Sequence, residues 1–214
     1  MSKHFFSRRR FLQSAGAAAV GVPTSLKGYT AAEMHAFDSN GVMEQDISKW
    51  ELDTPALCVD LDALEANLAT LQQAVTRNGI ASRPHAKTHK TPAIARMQLE
   101  SGSVGICTAK VSEAVAMYEY GIDQILMTTI NATPFKIQRA TDLRRQCSGF
   151  VQATDTPANA RELSEAAQAA GLVSDVVVDI DSGGHRTGIT PGQPALALAQ
   201  LVDQLPGLRL RGML

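Results

Sequence analysis

A dense basic segment between a predicted strand and a predicted helix is the first place where this sequence could do chemistry. It holds three side chains with reactive nitrogens within five positions, namely His85, Lys87 and His89. Three interpretations are open: a solvated basic loop, a pair of metal-ligating histidines, or a lysine that reacts through its amine. The histidines have the i, i+4 spacing of helical ligands, but the predicted helix begins after them, at Thr91-Pro92.

The lysine interpretation depends on where Lys87 lies in a sheet. Lys87 follows the apolar run 80–86, and parallel α/β folds carry their reacting groups at the carboxyl ends of strands. A lysine that is partly desolvated and crowded by cations loses its proton more readily, because both effects penalise the charged form. His85, His89 and Lys90 are expected to crowd it. The neutral amine is the nucleophile that condenses with an aldehyde.

A second candidate segment lies where a later predicted strand ends, at residues 179–188. Gly183-Gly184 allows positive φ and a close approach of the backbone to a ligand, and Arg186 could reach into a site from this loop. Because His185 stands at the second glycine position of a G-x-G-x-x-G pattern, dinucleotide binding has weak support. The alternative is an ordinary turn with a surface arginine.

The elements that must position these segments alternate from residue 54 onward. Three Thr-Pro pairs predict helix starts, with Thr as N-cap and Pro in the first turn, and three glycines predict helix ends. The pairs are Thr91-Pro92, Thr133-Pro134 and Thr156-Pro157, and the glycines are Gly102, Gly121 and Gly171. An earlier helix is predicted near residues 62–77, and its apolar face consists of Leu64, Leu68, Leu71 and Val75.

Seven short apolar runs are predicted to be strands. They are residues 56–59, 80–86, 104–108, 124–128, 150–153, 175–180 and 208–214. Strands that alternate with helices indicate βαβ units and a parallel sheet, so the fold class is α/β. Periodicity alone allows a (β/α)8 barrel or an open doubly wound sheet. A full barrel needs about 200 residues or more. The chain ends inside a predicted strand, so we expect a truncated domain.

Composition and charge exclude several classes of protein. With 44% hydrophobic and 19% charged residues, the 214-residue chain is neither collagen-like nor wholly disordered. The net charge is −1, and residues 31–214 carry −6, which disfavours nucleic acid as a partner. The three cysteines, Cys58, Cys107 and Cys147, predict neither a disulfide framework nor a zinc site. Cys58 and Cys107 lie in apolar runs and are predicted to be buried.

The first 30 residues resemble a twin-arginine export signal. Arg8-Arg9-Arg10 precedes Phe11-Leu12 and a weakly apolar stretch at 14–22, which is too short to span a membrane. We therefore expect a signal peptide at 1–30, a leader or linker at 31–53, and a periplasmic protein without a membrane anchor. The alternative is a disordered basic tail.

Three segments together resemble the family of D-threonine aldolase and D-serine dehydratase. They are residues 54–64, which begin Thr-Pro-Ala-Leu, the basic segment 83–90, and the arginine segment 181–188. Members of this family are pyridoxal phosphate enzymes with the alanine-racemase type of barrel (fold type III). The resemblance implies that 54–214 is a pyridoxal-phosphate-binding TIM-type barrel domain. It further implies that the barrel begins at Ile80, that 208–214 is its sixth strand, and that 56–59 belongs with a C-terminal β-domain absent from this chain.

The resemblance also implies roles for single residues. Lys87 would hold the cofactor as a Schiff base, and Arg186 would lie by the cofactor ring near its pyridine nitrogen. His85 and His89 are supporting or acid–base candidates. The divalent-metal ligands of the family lie in the part that this sequence lacks, so no metal ligand is predicted here.

The implied reaction is cleavage of a β-hydroxy D-amino acid to glycine and an aldehyde, because the arginine segment looks closer to the aldolase branch. Dehydration to a keto acid and ammonia is the alternative within the family. A non-catalytic pyridoxal-phosphate-binding protein and an inactive fragment are alternatives outside it. The expected partners are a small-molecule D-amino acid and a second copy of the chain in a homodimer.

Overall fold

The structure, a computed structural model, describes Pro55 and residues 57–214. The predicted export signal at 1–30 and linker at 31–53 lie outside the described residues. The described chain divides into two units. One contains the residues up to Ala81 together with Ala93–Gly102, and the other contains Ser82–Pro92 together with Ser103–Leu214.

The first unit consists of helix α1, Leu61–Arg77, and most of helix α2, Pro92–Glu100. Helix α1 begins where the Asp60 side chain accepts a hydrogen bond from the Ala63 N–H at 3.0 Å. Its predicted apolar face exists, but no residue of α1 is buried, and Leu71 is 51% exposed. The buried cluster of this unit centres on α2, and it consists of Ala93 and Ile94 with Leu61, Leu64 and Met97 packed against them.

The second unit is a parallel sheet whose strands alternate with helices. The elements in order are β1 Ile106–Thr108, α3 Val111–Glu119, β2 Ile125–Met127, α4 Pro134–Gln146, β3 Val151–Thr154, α5 Pro157–Ala169, β4 Ser174–Val178, α6 Gln193–Gln204 and β5 Leu208–Met213. The spatial order is β1-β2-β3-β4-β5, and every neighbouring pair is parallel. The predicted α/β class is confirmed. A doubly wound sheet reverses its strand order at a switch point, and the five described strands contain no such reversal.

The core of the second unit forms around β4, all five residues of which are buried. Alternate residues of a strand point to the same face, and Val176 and Val178 pack in one cluster with helix residues. The helix residues of this cluster include Leu163, Leu198 and Val202. A run of β-branched residues is therefore buried on both faces, as expected for a central parallel strand.

Two of the three predicted Thr-Pro helix starts have the predicted cap. The Thr133 hydroxyl accepts from Lys136 N, and the Thr156 hydroxyl accepts from Asn159 N. Thr91 differs, because its hydroxyl donates to the carbonyl of His89 at 2.7 Å.

Two predicted strands are not found as such. The run 80–86 forms one isolated parallel bridge, between His85 and Cys107, at the β1 side of the sheet. Pro84 in its middle has no N–H to donate, although its carbonyl accepts from Cys107 N at 2.7 Å. Residues 57–59 are exposed and form no strand, so the predicted burial of Cys58 is wrong, whereas Cys107 is buried. Within the described part of the chain, no helix has both the length and the apolarity to cross a membrane.

Candidate active site

Lys87 lies on a tight turn at the carboxyl-terminal edge of the sheet. The turn is anchored where Ala86 N donates to the Cys107 carbonyl at 2.8 Å and where Lys90 N donates to the Ala86 carbonyl at 2.7 Å. The Lys87 side chain is exposed, so the predicted partial desolvation is wrong. Among the described residues, no hydrogen bond or ion pair engages its amine. The amine is therefore available to a ligand.

His85 lies in the extended segment just before this turn, and both of its ring nitrogens face a partner. Nδ1 accepts from the backbone N–H of Lys87 at 3.2 Å, and Nε2 lies 3.2 Å from the Thr128 hydroxyl. Burial lowers the pKa of His85, and the nearby Lys87 charge lowers it further, against a smaller opposite effect of Glu113. The lowered pKa favours the neutral imidazole, and because Nδ1 accepts from the Lys87 N–H, the proton of this neutral form lies on Nε2.

His89 and Lys90 are tied to neighbouring elements. His89 Nδ1 accepts from Thr91 N at 3.0 Å, next to the start of α2. The Lys90 amine lies 4.0 Å from Glu113, whose carboxylate also accepts from the backbone N–H groups that open α3. Since the neutral form of His85 is favoured and Lys90 has an acidic neighbour, the cationic crowding around Lys87 is weaker than the sequence predicts.

The loop after β4 is organised by Asp181. Its Oδ1 accepts from Gly183 N at 3.0 Å and from His185 N at 2.9 Å, and its Oδ2 lies 2.9 Å from His185 Nδ1. These backbone donors, His185 first, hold the pKa of the Asp181 carboxyl below its usual range. Gly188 closes the loop by donating from its N–H to Asp155 at 3.4 Å. Arg186 is exposed on this loop.

An open cleft of about 370 Å³ lies on this side of the sheet. Its lining residues are Asp155, Asp181, His185, Arg186, Thr187 and Gly188. Sequence reasoning found Arg186 but missed Asp155 and Asp181. An aspartate two residues before a Gly-Gly pair is a signal for an Asx turn, so Asp181 was open to prediction. Asp155 could not be predicted, because its contact with Gly188 depends on how the sheet places the end of β3 beside the loop after β4.

The predicted site residues thus occupy two clusters at one edge. Lys87, His85 and His89 belong to the segment beside β1, and Arg186 belongs to the loop after β4. In a parallel sheet the carboxyl ends of all strands share an edge, where such folds bind their ligands. In the described chain, no group of three or more His, Cys, Asp or Glu side chains is placed to hold a metal ion.

Two buried polar atoms at this edge indicate what kind of ligand would fit there. Thr108 Oγ1, at the end of β1, and Asp179 Oδ2, just after β4, have no hydrogen-bond partner among the described residues. Leaving such a group unsatisfied typically costs about 1–3 kcal/mol. A ligand rich in hydrogen-bonding groups, such as pyridoxal phosphate, fits an edge that also presents the Lys87 amine and the Arg186 guanidinium.

Comparison with known proteins connects this edge to a family. The chain is 40% identical over 162 residues to a D-threonine aldolase of Arthrobacter sp., covering 76% of this chain and 42% of that one. It is 33% identical to the D-threo-3-hydroxyaspartate dehydratase of Delftia sp. (strain HT23), covering 76% and 43%. The crystal structure of the D-threonine aldolase from Filomicrobium marinum superposes with a TM-score of 0.73 at 42% identity, covering 76% and 44%.

The chain spans less than half the length of each of these relatives. The structural match nonetheless agrees with the predicted barrel-type α/β fold, and the parallel five-stranded sheet is consistent with part of such a barrel. Residues 59–214 match the family described as alanine racemase, N-terminal domain. The chain belongs to that family.

Proposed function

We propose that this chain carries the cofactor lysine of a pyridoxal-phosphate-dependent lyase that acts on β-hydroxy D-amino acids. The observation that carries the proposal is the exposed, unengaged amine of Lys87 on an anchored turn at the ligand-binding edge of the sheet. The identity of 33–40% to relatives described as aldolase and dehydratase of β-hydroxy D-amino acids supports it.

We propose a separate role for each residue of the site. Lys87 would hold pyridoxal phosphate through a Schiff base, and Arg186 would lie beside the ring near its pyridine nitrogen. Bound there, the cofactor supplies an electron sink for the bond that breaks at the substrate Cα. The Asp181 turn and the Gly188–Asp155 hydrogen bond hold the loop that presents Arg186. His85 and His89 are the acid–base candidates, and each uses Nδ1 to accept a backbone N–H. A proton that His89 exchanges with substrate must therefore pass through its Nε2.

The favoured reaction is retro-aldol cleavage, in which the substrate hydroxyl loses its proton while the Cα–Cβ bond breaks. D-threonine would then give glycine and acetaldehyde. The higher identity to the aldolase than to the dehydratase supports this branch. Dehydration is the second candidate, and it would give a keto acid and ammonia from the same substrate. A divalent metal ion is expected in the family, and no residue is assigned to it here.

Borohydride trapping tests the proposal directly. Purified protein is mixed with pyridoxal phosphate, reduced with borohydride and digested for peptide mapping. We expect one labelled peptide, carrying Lys87, and loss of both label and visible Schiff-base absorbance in Lys87→Ala. Lys136→Ala, which removes another exposed lysine, should label like the wild type.

The outcomes separate the alternatives. Label on Lys87 with glycine released from D-threonine supports the aldolase, and keto acid without glycine supports the dehydratase. Label without either product identifies a pyridoxal phosphate carrier. Label elsewhere, or none, refutes the proposal and favours an inactive fragment.

We also propose that residues 1–30 direct export to the periplasm in the folded state. The support is the Arg8-Arg9-Arg10-Phe11-Leu12 sequence, an address read by a receptor. Cell fractionation should recover the wild type in the periplasm and the Arg8→Lys/Arg9→Lys variant in the cytoplasm. Recovery of both only in the cytoplasm would contradict export.

A homodimer is proposed as the assembly, with sedimentation equilibrium as its test. A mass equal to one chain at micromolar concentration would contradict it.

A further inference from the structure

We propose that Thr128 and His85 form a directional hydrogen-bond relay that positions Lys87 for its reaction with the cofactor, and that His85 therefore acts as a positioning residue. The proposal rests on the proposed function of Lys87. It assigns a role to Thr128, which no sequence motif marks, and it removes His85 from the acid–base candidates.

The direction of the relay follows from counting protons. His85 Nδ1 accepts the Lys87 N–H at 3.2 Å, so the single proton of a neutral imidazole must lie on Nε2. Nε2 faces the Thr128 hydroxyl at 3.2 Å, and that hydroxyl donates its own proton to the Thr108 carbonyl at 3.3 Å. The hydroxyl thus keeps its lone pairs for the imidazole N–H. The hydrogen bonds therefore run from the His85 N–H to the Thr128 hydroxyl, and from that hydroxyl to the Thr108 carbonyl.

This arrangement leaves His85 no free atom for proton transfer. The lone pair of Nδ1 is engaged by the backbone of Lys87, and Nε2 carries its proton toward Thr128. Protonation of Nδ1 would remove the acceptor for Lys87 and place two like charges on neighbouring residues. Burial and the Lys87 charge oppose that protonation, while Glu113 favours it to a lesser degree.

The relay also connects the turn to the sheet. Thr128 follows β2, and its backbone N–H donates to the same Thr108 carbonyl at 2.9 Å. The imidazole therefore connects the residue that bears the reactive amine to two adjacent strands of the rigid sheet. A side chain whose backbone is already fixed in this way loses less conformational entropy when it binds its ligand.

The experiment compares variants that break the relay at different points. Thr128→Val removes the hydroxyl at constant shape, and Thr128→Ser restores it. His85→Asn keeps an acceptor oxygen for the Lys87 N–H, whereas His85→Leu keeps bulk and removes the acceptor. Thr70→Val is the matched control, because Thr70 is exposed on α1 and, among the described residues, its hydroxyl bonds only to the Ala66 carbonyl one turn earlier.

Two readouts are measured on each variant. The first is pyridoxal phosphate affinity, from Schiff-base absorbance, together with the rate of borohydride trapping at Lys87. The second is the ¹⁵N NMR tautomer of His85 without cofactor, assigned by the signal that disappears in His85→Asn. We expect Nε2–H in the wild type, an appreciable Nδ1–H fraction in Thr128→Val, and affinity roughly fivefold weaker in that variant, as for one neutral hydrogen bond. Thr128→Ser and Thr70→Val should match the wild type, and His85→Asn should bind more tightly than His85→Leu.

Several results would overturn the relay. One is an Nδ1–H tautomer in the wild type at neutral pH. Another is a Thr128→Val variant that equals Thr70→Val in affinity and trapping rate. Equal losses in His85→Asn and His85→Leu would show that the acceptor for the Lys87 N–H has no effect, which would contradict the positioning role. If wild-type Lys87 takes no label at all, the proposed function is refuted, and the positioning role is refuted as a consequence. The tautomer of His85 would still show whether the hydrogen bonds of the relay exist.

Discussion

Substituting alanine for Gly188 should be the most damaging single change in the loop that carries Arg186. Gly188 has φ +94°, a backbone conformation that costs an L side chain about 1–3 kcal/mol. A Cβ at this position would lie 2.4 Å from the backbone nitrogen of Asp181 and 2.5 Å from the carbonyl carbon of Ile180. Both atoms are backbone, so no side chain can rotate away to relieve the clash.

The surrounding hydrogen bonds prevent an easy shift of the backbone. Asp181 N donates to the Ile189 carbonyl at 3.0 Å, and Ile189 N donates to the Asp179 carbonyl at 2.9 Å. Overpacking of this kind typically adds about 1–3 kcal/mol. Gly188→Ala should therefore lower the free energy of unfolding by about 2–6 kcal/mol, a large part of the 5–15 kcal/mol typical of a domain.

Gly192 offers a matched control for this prediction. Its φ is +86°, yet a Cβ there would meet no atom within 4 Å, so Gly192→Ala should show only the conformational cost of about 1–3 kcal/mol. Urea unfolding followed by circular dichroism gives both free energies, and absorbance titration gives pyridoxal phosphate affinity. Only Gly188→Ala should weaken the affinity, because its loop presents Arg186. Equal destabilisation by the two substitutions would refute the backbone clash.

Two further predictions concern pH and the core. The depressed pKa of Asp181 means that its carboxylate stabilises the loop above the ordinary aspartate range and loses that effect as pH falls through the folded-state value. The protection factor of the Gly183 amide, which is its exchange rate relative to the intrinsic rate at the same pH, should therefore fall on acidification in the wild type, whereas it should change little with pH in Asp181→Asn. Leu198→Ala, which empties a site only 1% exposed in the β4 core, should cost about 2–5 kcal/mol in urea unfolding, whereas Leu196→Ala on the same helix, at 50% exposure, should cost far less; similar losses would contradict the described core.

Local signals predicted the helices well. Sequence could predict the helix caps at Thr133 and Thr156 and the glycines after α3 and α5, because each depends only on residues within one helical turn. The face of α1 was also predicted correctly as a stripe, yet the stripe is only half-buried. Periodicity reports which residues share a face, and it says nothing about what covers that face.

Two strand predictions were wrong, because a strand forms only where its backbone pairs with a neighbouring strand. The run 80–86 has the composition of a strand, yet its backbone hydrogen bonds to residues 104–107 amount to one isolated bridge at His85, and residues 57–59 form no bridge within the described part of the chain. A strand exists only through its neighbours, so apolar composition cannot establish it. The predicted desolvation of Lys87 failed for a related reason, since exposure depends on what packs around a turn.

What the sequence determined by itself is the alternation of strands and helices, most of the helix starts and ends, and the placement of Lys87 and Arg186 in loops rather than in helices or strands. These follow from hydrophobic period and local hydrogen bonding, which act over a few residues. Only the tertiary structure decided that Thr128 meets His85 across 43 positions and that Asp155 meets Gly188 across 33. Such partners lie on segments beside or after different strands, and the register of the parallel sheet brings them together.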